Sequence, residues 1–289
     1  MKTYSAMRKP ARVAGFLFFL ALLISCEDTG TGVNSQEYTN LPADTGGANT
    51  AYPKGTTQAS YGYYLYMPSG ATNGVNYPVI INLHGMGSSE NDGDLGIVLN
   101  EGPGGLMGLK KWHPPYPMIV VSPQCHADTS WNPQEVHKFI SYLISNYPIN
   151  SSRIYLTGTS MGGYGVYRYL TTLGAESYVA AAIPIMGGGS ISSAANITSP
   201  VWAFHGGKDQ TVSPSNDAKM IEAIKTASPT LDAKITMFTN LGHEWNTWFY
   251  TFSYEGWKTE LVQDGRTDVD SNYAPYDQDI YSWMLQFRK

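Results

Sequence analysis

The chain has 289 residues, 42% apolar and 14% charged, with a formal net charge of −5. That apolar share supports a sizeable core and excludes a wholly disordered chain, and the length suits one large α/β domain or two smaller ones. Charge falls well under the roughly 25% of an ordinary soluble domain; 21 Tyr and 7 Trp, an acidic balance and no basic run after residue 12 exclude nucleic acid as a partner and favour neutral, hydroxylated ligands.

In chain order, residues 1–12 carry Lys2, Arg8, Lys9 and Arg12 and no acid, and Val13–Ile24 is an apolar run. The run is too short to span a bilayer comfortably but suits the core of a secretory signal. It ends in Leu23-Ile24-Ser25-Cys26, which resembles a bacterial lipobox. That resemblance implies a signal over 1–25, lipidation at Cys26 and an exported lipoprotein of the cell envelope, at the outer membrane or cell surface and held by its lipid anchor alone. An ordinary cleaved signal or an uncleaved anchor are the alternatives. With Cys26 lipidated, Cys125 has no partner for an intramolecular disulfide and reads as a small packed residue. Glu27 to about Lys54 is rich in Thr, Gly, Asn and Asp, so 26–55 is expected as a flexible tether.

From 56 to 289 strand and helix patterns alternate in one domain. Ser60–Met67 alternates as a strand, turned by Pro68-Ser69-Gly70. Tyr77–Leu83 is a continuous apolar run ending at His84-Gly85, and Met118–Val121 a shorter one closed by Ser122-Pro123. Gln134–Asn146 has helical spacing, with Val136, Phe139, Ile140 and Leu143 on one face. Then follow strand Arg153–Thr157, helix Gly162–Leu173, strands Val179–Ile185 and Val201–His205, helix Ser215–Thr226, strand Ala233–Thr239 and a closing helix Gln278–Phe287. This order predicts an α/β fold, a mostly parallel doubly wound sheet with helices on both faces and no separate cap domain. Ligands of such sheets bind beyond the carboxyl ends of the strands, so polar residues just after each strand are the candidates.

Three strand ends carry one chemistry. Gly158-Thr159-Ser160-Met161-Gly162 stands between an apolar strand and a helix. A sharp turn there exposes the Ser160 hydroxyl, the glycines relieve crowding, and the helix N-terminus favours a developing oxyanion. Asp209 follows the strand Val201–Phe204, 49 residues beyond Ser160, and His243 lies on the loop after the next strand, 34 residues further. Both spacings fit one strand–helix unit, so His243 is expected to take the Ser160 proton and Asp209 to orient His243. Asp217 is an alternative acid but falls inside a predicted helix. His84 and His205 also follow strands and read as hydrogen-bonded structural residues, while His113, His126 and His137 precede Ser160, in the wrong chain order.

Leu83-His84-Gly85-Met86-Gly87, Gly158-Thr159-Ser160-Met161-Gly162-Gly163, His205-Gly206-Gly207-Lys208-Asp209 and Gly242-His243 together resemble the α/β-hydrolase superfamily. They are most similar to its secreted esterase branch, with feruloyl and acetylxylan esterases and polyhydroxybutyrate depolymerase-like proteins. Val120-Val121-Ser122-Pro123-Gln124-Cys125 with Trp131 is similar to a subgroup often labelled predicted peptidase or phospholipase/carboxylesterase-like. The resemblance spans about Ser60 to Phe287. It implies that the backbone N–H groups of Met86 and Met161 form the oxyanion hole.

Gln124 and Trp131, just past a strand end, and Trp245, beside His243, are candidate substrate contacts. Trp131 reads equally as a packing residue. Thr247–Asp277 departs from compact members of the superfamily and holds many aromatic residues, either a small packed surface cluster or an aromatic wall for sugar or aryl groups. Asp264, Asp268 and Asp270 match no calcium-loop spacing, so no metal is expected, and no nucleotide-binding glycine pattern occurs, so no cofactor is expected. The resulting expectation is a serine hydrolase of carboxylic esters working through an acyl-enzyme on an ester-bearing polysaccharide or a small aryl or acyl ester. A peptidase or a lipid or polyester esterase could use the same three residues, and a non-catalytic glycan-binding lipoprotein is the alternative of another class.

Overall fold

The computed structural model describes residues 40–71, 74–89, 93–108, 114–244, 250, 265 and 268–289. The chain divides into two units, Met1–Gly32 and Val33–Lys289, and every described residue lies in the second. The expected signal, Cys26, His113, Trp245 and most of 247–267 lie outside the described residues.

The strands are β1 (Ala48–Tyr52), β2 (Tyr63–Met67), β3 (Tyr77–Leu83), β4 (Ile119–Pro123), β5 (Ile149–Thr159), β6 (Val179–Ile185), β7 (Val201–Gly206) and β8 (Ala233–Phe238). They form one sheet in the order β1-β2-β4-β3-β5-β6-β7-β8. Pairing is antiparallel at β1/β2 and β2/β4 and parallel across the rest. The helices are α1 (Gly102–Gly108), α2 (Pro133–Asn146), α3 (Met161–Leu173), α4 (Ser215–Ala227) and α5 (Ile280–Met284). Among the described residues no helix is long and apolar enough to cross a membrane.

Parallel strands must be apolar on both sides because helices cover both faces. Val79, Ile81, Ile154, Leu156, Val201 and Ala203 pack with the apolar stripes of α2, α3 and α4. Their neighbours Ile80, Tyr155, Trp202 and Phe204 point the other way, onto Leu106 of α1 and the buried face of α5. This is the α/β-hydrolase fold, and it gathers the carboxyl ends of β3, β5, β7 and β8 along one edge.

Several elements differ from expectation. Residues 48–52, assigned to the tether, form β1; its stability comes from a five-residue register with β2 and from Tyr52 stacked 4.9 Å from Tyr63, not from an apolar face. β5 begins at Ile149, ahead of the predicted Arg153, because polar Asn150–Ser152 hide a strand start that pairs Ile149 with Tyr77. Glycine-rich 95–108, given no element, holds a 3-10 turn over Leu95–Asn100 and α1. The closing helix is confined to Ile280–Met284.

Candidate active site

Ser160 sits where β5 turns into α3, with φ 56° and ψ −115°. A left-handed φ strains a non-glycine residue, and this one is held by its surroundings. The Ser160 N–H donates to Ile185 O at 2.9 Å on β6, and α3 starts at the next residue. The turn also needs Gly162: a Cβ there would lie 1.8 Å from Leu83 O, at the end of β3. Ser160 is half-buried, its hydroxyl turned toward the sheet edge.

The Ser160 hydroxyl donates to His243 Nε2 at 3.0 Å, and His243 Nδ1–H donates to Asp209 Oδ2 at 2.7 Å. The other carboxylate oxygen, Asp209 Oδ1, accepts the backbone N–H groups of Thr211 at 2.8 Å and Val212 at 2.9 Å. Burial alone raises the pKa of Asp209. The hydrogen bond from His243, the two backbone N–H groups and the His243 charge outweigh it and hold the carboxyl below its ordinary value. The structure therefore brings together three residues that are far apart in sequence and predicted from three strand ends. The arrangement can deprotonate an alcohol beside a fixed imidazole whose tautomer is set by a buried carboxylate.

Met161 opens α3 and Met86 opens a one-turn 3-10 helix, Met86–Ser88, so neither N–H has an acceptor within its own helix. Met86 is also an exposed large apolar residue, 71% accessible. Its loop is tied down by Glu101, which sequence reasoning missed. Glu101 Oε2 accepts the Gly85 N–H at 2.7 Å and Oε1 accepts the Ser88 hydroxyl at 2.6 Å. Burial raises the pKa of this carboxyl more than the two hydrogen bonds lower it. The available signal was isolation: Glu101 stands in a glycine-rich stretch with no basic residue before Lys110.

Gln124 and Trp131 are buried, and their donors are taken up by this loop and its neighbours. Gln124 Nε2–H donates to Ser88 O at 3.3 Å and Asp94 O at 3.0 Å. Trp131 Nε1–H donates to His84 O at 3.0 Å, and its ring packs 5.4 Å from Tyr61. Both brace the segment that presents Met86. For Trp131 the packing alternative holds, because an indole so enclosed has its one donor spent on the backbone.

The remaining strand-end histidines are both buried and hydrogen-bonded, but differently. His84 donates from Nδ1 to Gly85 O at 2.5 Å and accepts the Cys125 N–H on Nε2 at 2.8 Å, a neutral ring. Burial lowers its pKa to about 4. His205 donates from Nδ1 to Asp217 Oδ2 at 2.6 Å, and its Nε2 faces Val212 O at 3.0 Å and Asp209 Oδ2 at 3.3 Å. Burial opposes its charge, yet the Asp217 hydrogen bond and charge, with Val212 O and Asp209, raise its pKa above the ordinary imidazole value. Asp217, weighed as an alternative acid, thus serves His205 and not His243. Cys125 is buried, with Sγ 3.5 Å from Thr129 Oγ1.

With this geometry in view, residues 128–262 match the Dienelactone hydrolase family. That span includes Ser160, Asp209 and His243 and leaves out the Met86 loop. Among solved structures the chain is similar to a thermostable esterase at 23% identity and TM-score 0.54, over 84% of this chain. The match spans only 63% of that esterase's length. It is also similar to a feruloyl esterase module from Clostridium thermocellum, solved with sinapinate, at 18% identity and TM-score 0.53 over 74% of this chain and 89% of that one. A Pyrococcus horikoshii acylaminoacyl peptidase aligns at 13% identity and TM-score 0.51, over 87% of this chain and 46% of the other. At these identities the likenesses speak to the fold. No curated protein matches the sequence.

Proposed function

We propose that this protein is a serine hydrolase of carboxylic esters. One observation carries the reading: a single imidazole, His243, lies 3.0 Å from the Ser160 hydroxyl and 2.7 Å from Asp209. Ser160 Oγ attacks the ester carbonyl as His243 takes its proton, the alcohol leaves with that proton, and water then enters by the reverse path to free the acid. The N–H groups of Met86 and Met161 are assigned to the oxyanion, where one donor is worth about 2.7–4 kcal/mol. The Dienelactone hydrolase match, in a family named for a lactone, an internal ester, supports ester over peptide chemistry.

The substrate is assigned to esters on polysaccharides, acetyl or feruloyl. Support comes from the scarcity of charge, the abundance of Tyr and Trp and the signal-like N-terminus. The enzyme is placed in the bacterial envelope, anchored through Cys26; metabolic labelling with an alkyne palmitate that is insensitive to Cys26→Ser would remove that assignment. The test of function is p-nitrophenyl acetate turnover by wild type and Ser160→Ala, where loss of the nucleophile lowers kcat by on the order of 10⁶. Equal rates in the two would refute the hydrolase. A panel of acetyl, feruloyl, glucuronoyl and longer acyl esters beside a peptide anilide then assigns the class. Preference for the anilide would favour the peptidase reading, and preference for long acyl chains a lipid or polyester esterase.

A further inference from the structure

Behind the Ser160–His243–Asp209 set lies a second pair that the proposed reaction does not use. His205 ends β7, Asp217 lies in the first turn of α4, and the side chains of both are fully buried, as is that of Asp209. The contacts run in series: Asp217 Oδ2 to His205 Nδ1 at 2.6 Å, His205 Nε2 to Asp209 Oδ2 at 3.3 Å, and the same oxygen to His243 Nδ1 at 2.7 Å. Among the described residues, every group facing the His205 ring nitrogens is an acceptor: two carboxylates and the Val212 carbonyl. A ring so placed must donate from both nitrogens, which only the imidazolium does.

The charges then follow. Asp217 Oδ2 also accepts the Gly187 N–H at 3.0 Å, and the buried Tyr167 phenol lies beside it, its pKa raised first by burial and then by the Asp217 charge. Two carboxylates buried this close are costly unless a cation stands between them. His205 supplies that cation, and it approaches the same Asp209 oxygen that serves His243. Thr211 and Val212 meanwhile fix the other oxygen, so the carboxylate is held on both sides. A positive neighbour also opposes transfer of the His243 proton onto Asp209, which keeps Asp209 an acceptor through the cycle.

We propose that His205 and Asp217 are positioning residues for hydrolysis, a buried imidazolium–carboxylate pair that holds Asp209 ionised and turned toward His243. This rests on the ester-hydrolase reading and adds to it. The pair touches neither substrate nor Ser160 and acts through Asp209.

The test is a double-mutant cycle on the full chain with p-nitrophenyl acetate. His205→Gln and Asp217→Asn each lower kcat about ten- to hundredfold with KM within about twofold, as misplacement of a catalytic group does. In an Asp209→Asn background each costs less than about twofold more, because the residue it acts through is already disabled. The same factor in both backgrounds, a change confined to KM, or no change in kcat overturns the proposal in favour of a structural tether between β7 and α4. Should a variant fail to fold, ¹⁵N-histidine spectra of the wild type decide: both ring nitrogens of His205 carry protons at neutral pH, and a bare nitrogen overturns the assignment. If wild-type protein hydrolyses no ester while His205 still shows an imidazolium spectrum, the failure belongs to the functional reading and the kinetic role falls with it.

Discussion

The two oxygens of Asp209 have separate tasks, and that separation predicts what an isosteric change would do. Oδ1 accepts two backbone N–H groups and has no freedom to donate, while Oδ2 accepts from His243. In Asp209→Asn the amide carbonyl must therefore stay with Thr211 and Val212, and the NH₂ turns to His243 Nδ1. That nitrogen becomes an acceptor, the ring proton moves to Nε2, and Nε2 faces Ser160 already protonated. A wrong tautomer costs about 10⁴ in kcat although the geometry is kept. Steady-state kinetics on aryl esters should show this loss with KM little changed and a lower melting temperature, because the NH₂ also faces the donating His205 Nε2 and the stabilising Asp209 charge is gone. A loss under tenfold would mean that His243 is oriented by something other than this carboxylate.

At the scale of elements, the turn from β5 into α3 is where backbone shape sets reactivity. Gly162→Ala would drive a methyl against Leu83 O, an approach of 1.8 Å with backbone on the other side. Either β3 or the first turn of α3 must shift, and a displacement of about 1 Å in a nucleophile costs about 10²-fold in rate. Gly162→Ala is expected to lose at least that in kcat/KM and to melt lower. Gly87→Ala, on the neighbouring loop, meets nothing within 4 Å and should stay within about 0.5 kcal/mol of wild-type stability. Comparing the two by thermal melting and active-site titration checks the argument, and a wild-type rate in Gly162→Ala would defeat it.

The same elements show what was legible in the sequence. β3 and β6 match their predicted spans because continuous apolar runs between turn residues have little else to become. Ser160, Asp209 and His243 were legible because each follows such a run, and a parallel sheet brings those ends together. β1 was not, since Ala48–Tyr52 owes its place to backbone pairing and a tyrosine stack. The His205–Asp217 pair was half legible. Asp217 shares helical spacing with buried Met220, Ile221 and Ile224, and a carboxylate on an apolar stripe requires a buried partner. Which partner it finds depends on β7 lying under α4, a tertiary fact. For Gln124 and Trp131 the sequence left the role open, because a position after a strand end fits a residue bracing the loop as well as one lining the site.

For the molecule as a whole, the two buried histidines act on stability in opposite directions and in separate pH windows. His84 has a folded pKa of about 4 against an ordinary 6.5. Unfolding releases a ring that takes a proton more readily, so its contribution is complete above 6.5 and is lost as pH falls toward 4. The shift corresponds to on the order of 3 kcal/mol. His205 has its folded pKa raised, so its contribution is complete below 6.5 and is lost as pH rises through the folded value. Asp209, with a lowered folded pKa, adds stability that is present above 3.8 and lost as pH falls further. Glu101, raised above 4.5, runs against His84 where their windows overlap, since its folded form takes a proton as pH falls. The histidine terms alone place the stability maximum near the ordinary imidazole pKa, with acid destabilisation led by His84. Urea unfolding across that range should show wild type losing more free energy between neutral pH and about pH 4 than His84→Gln, whose side chain does not titrate, by on the order of 3 kcal/mol. Equal losses in the two proteins would show that His84 is already solvated or charged in the folded state, and would remove the buried neutral ring that joins the end of β3 to Cys125.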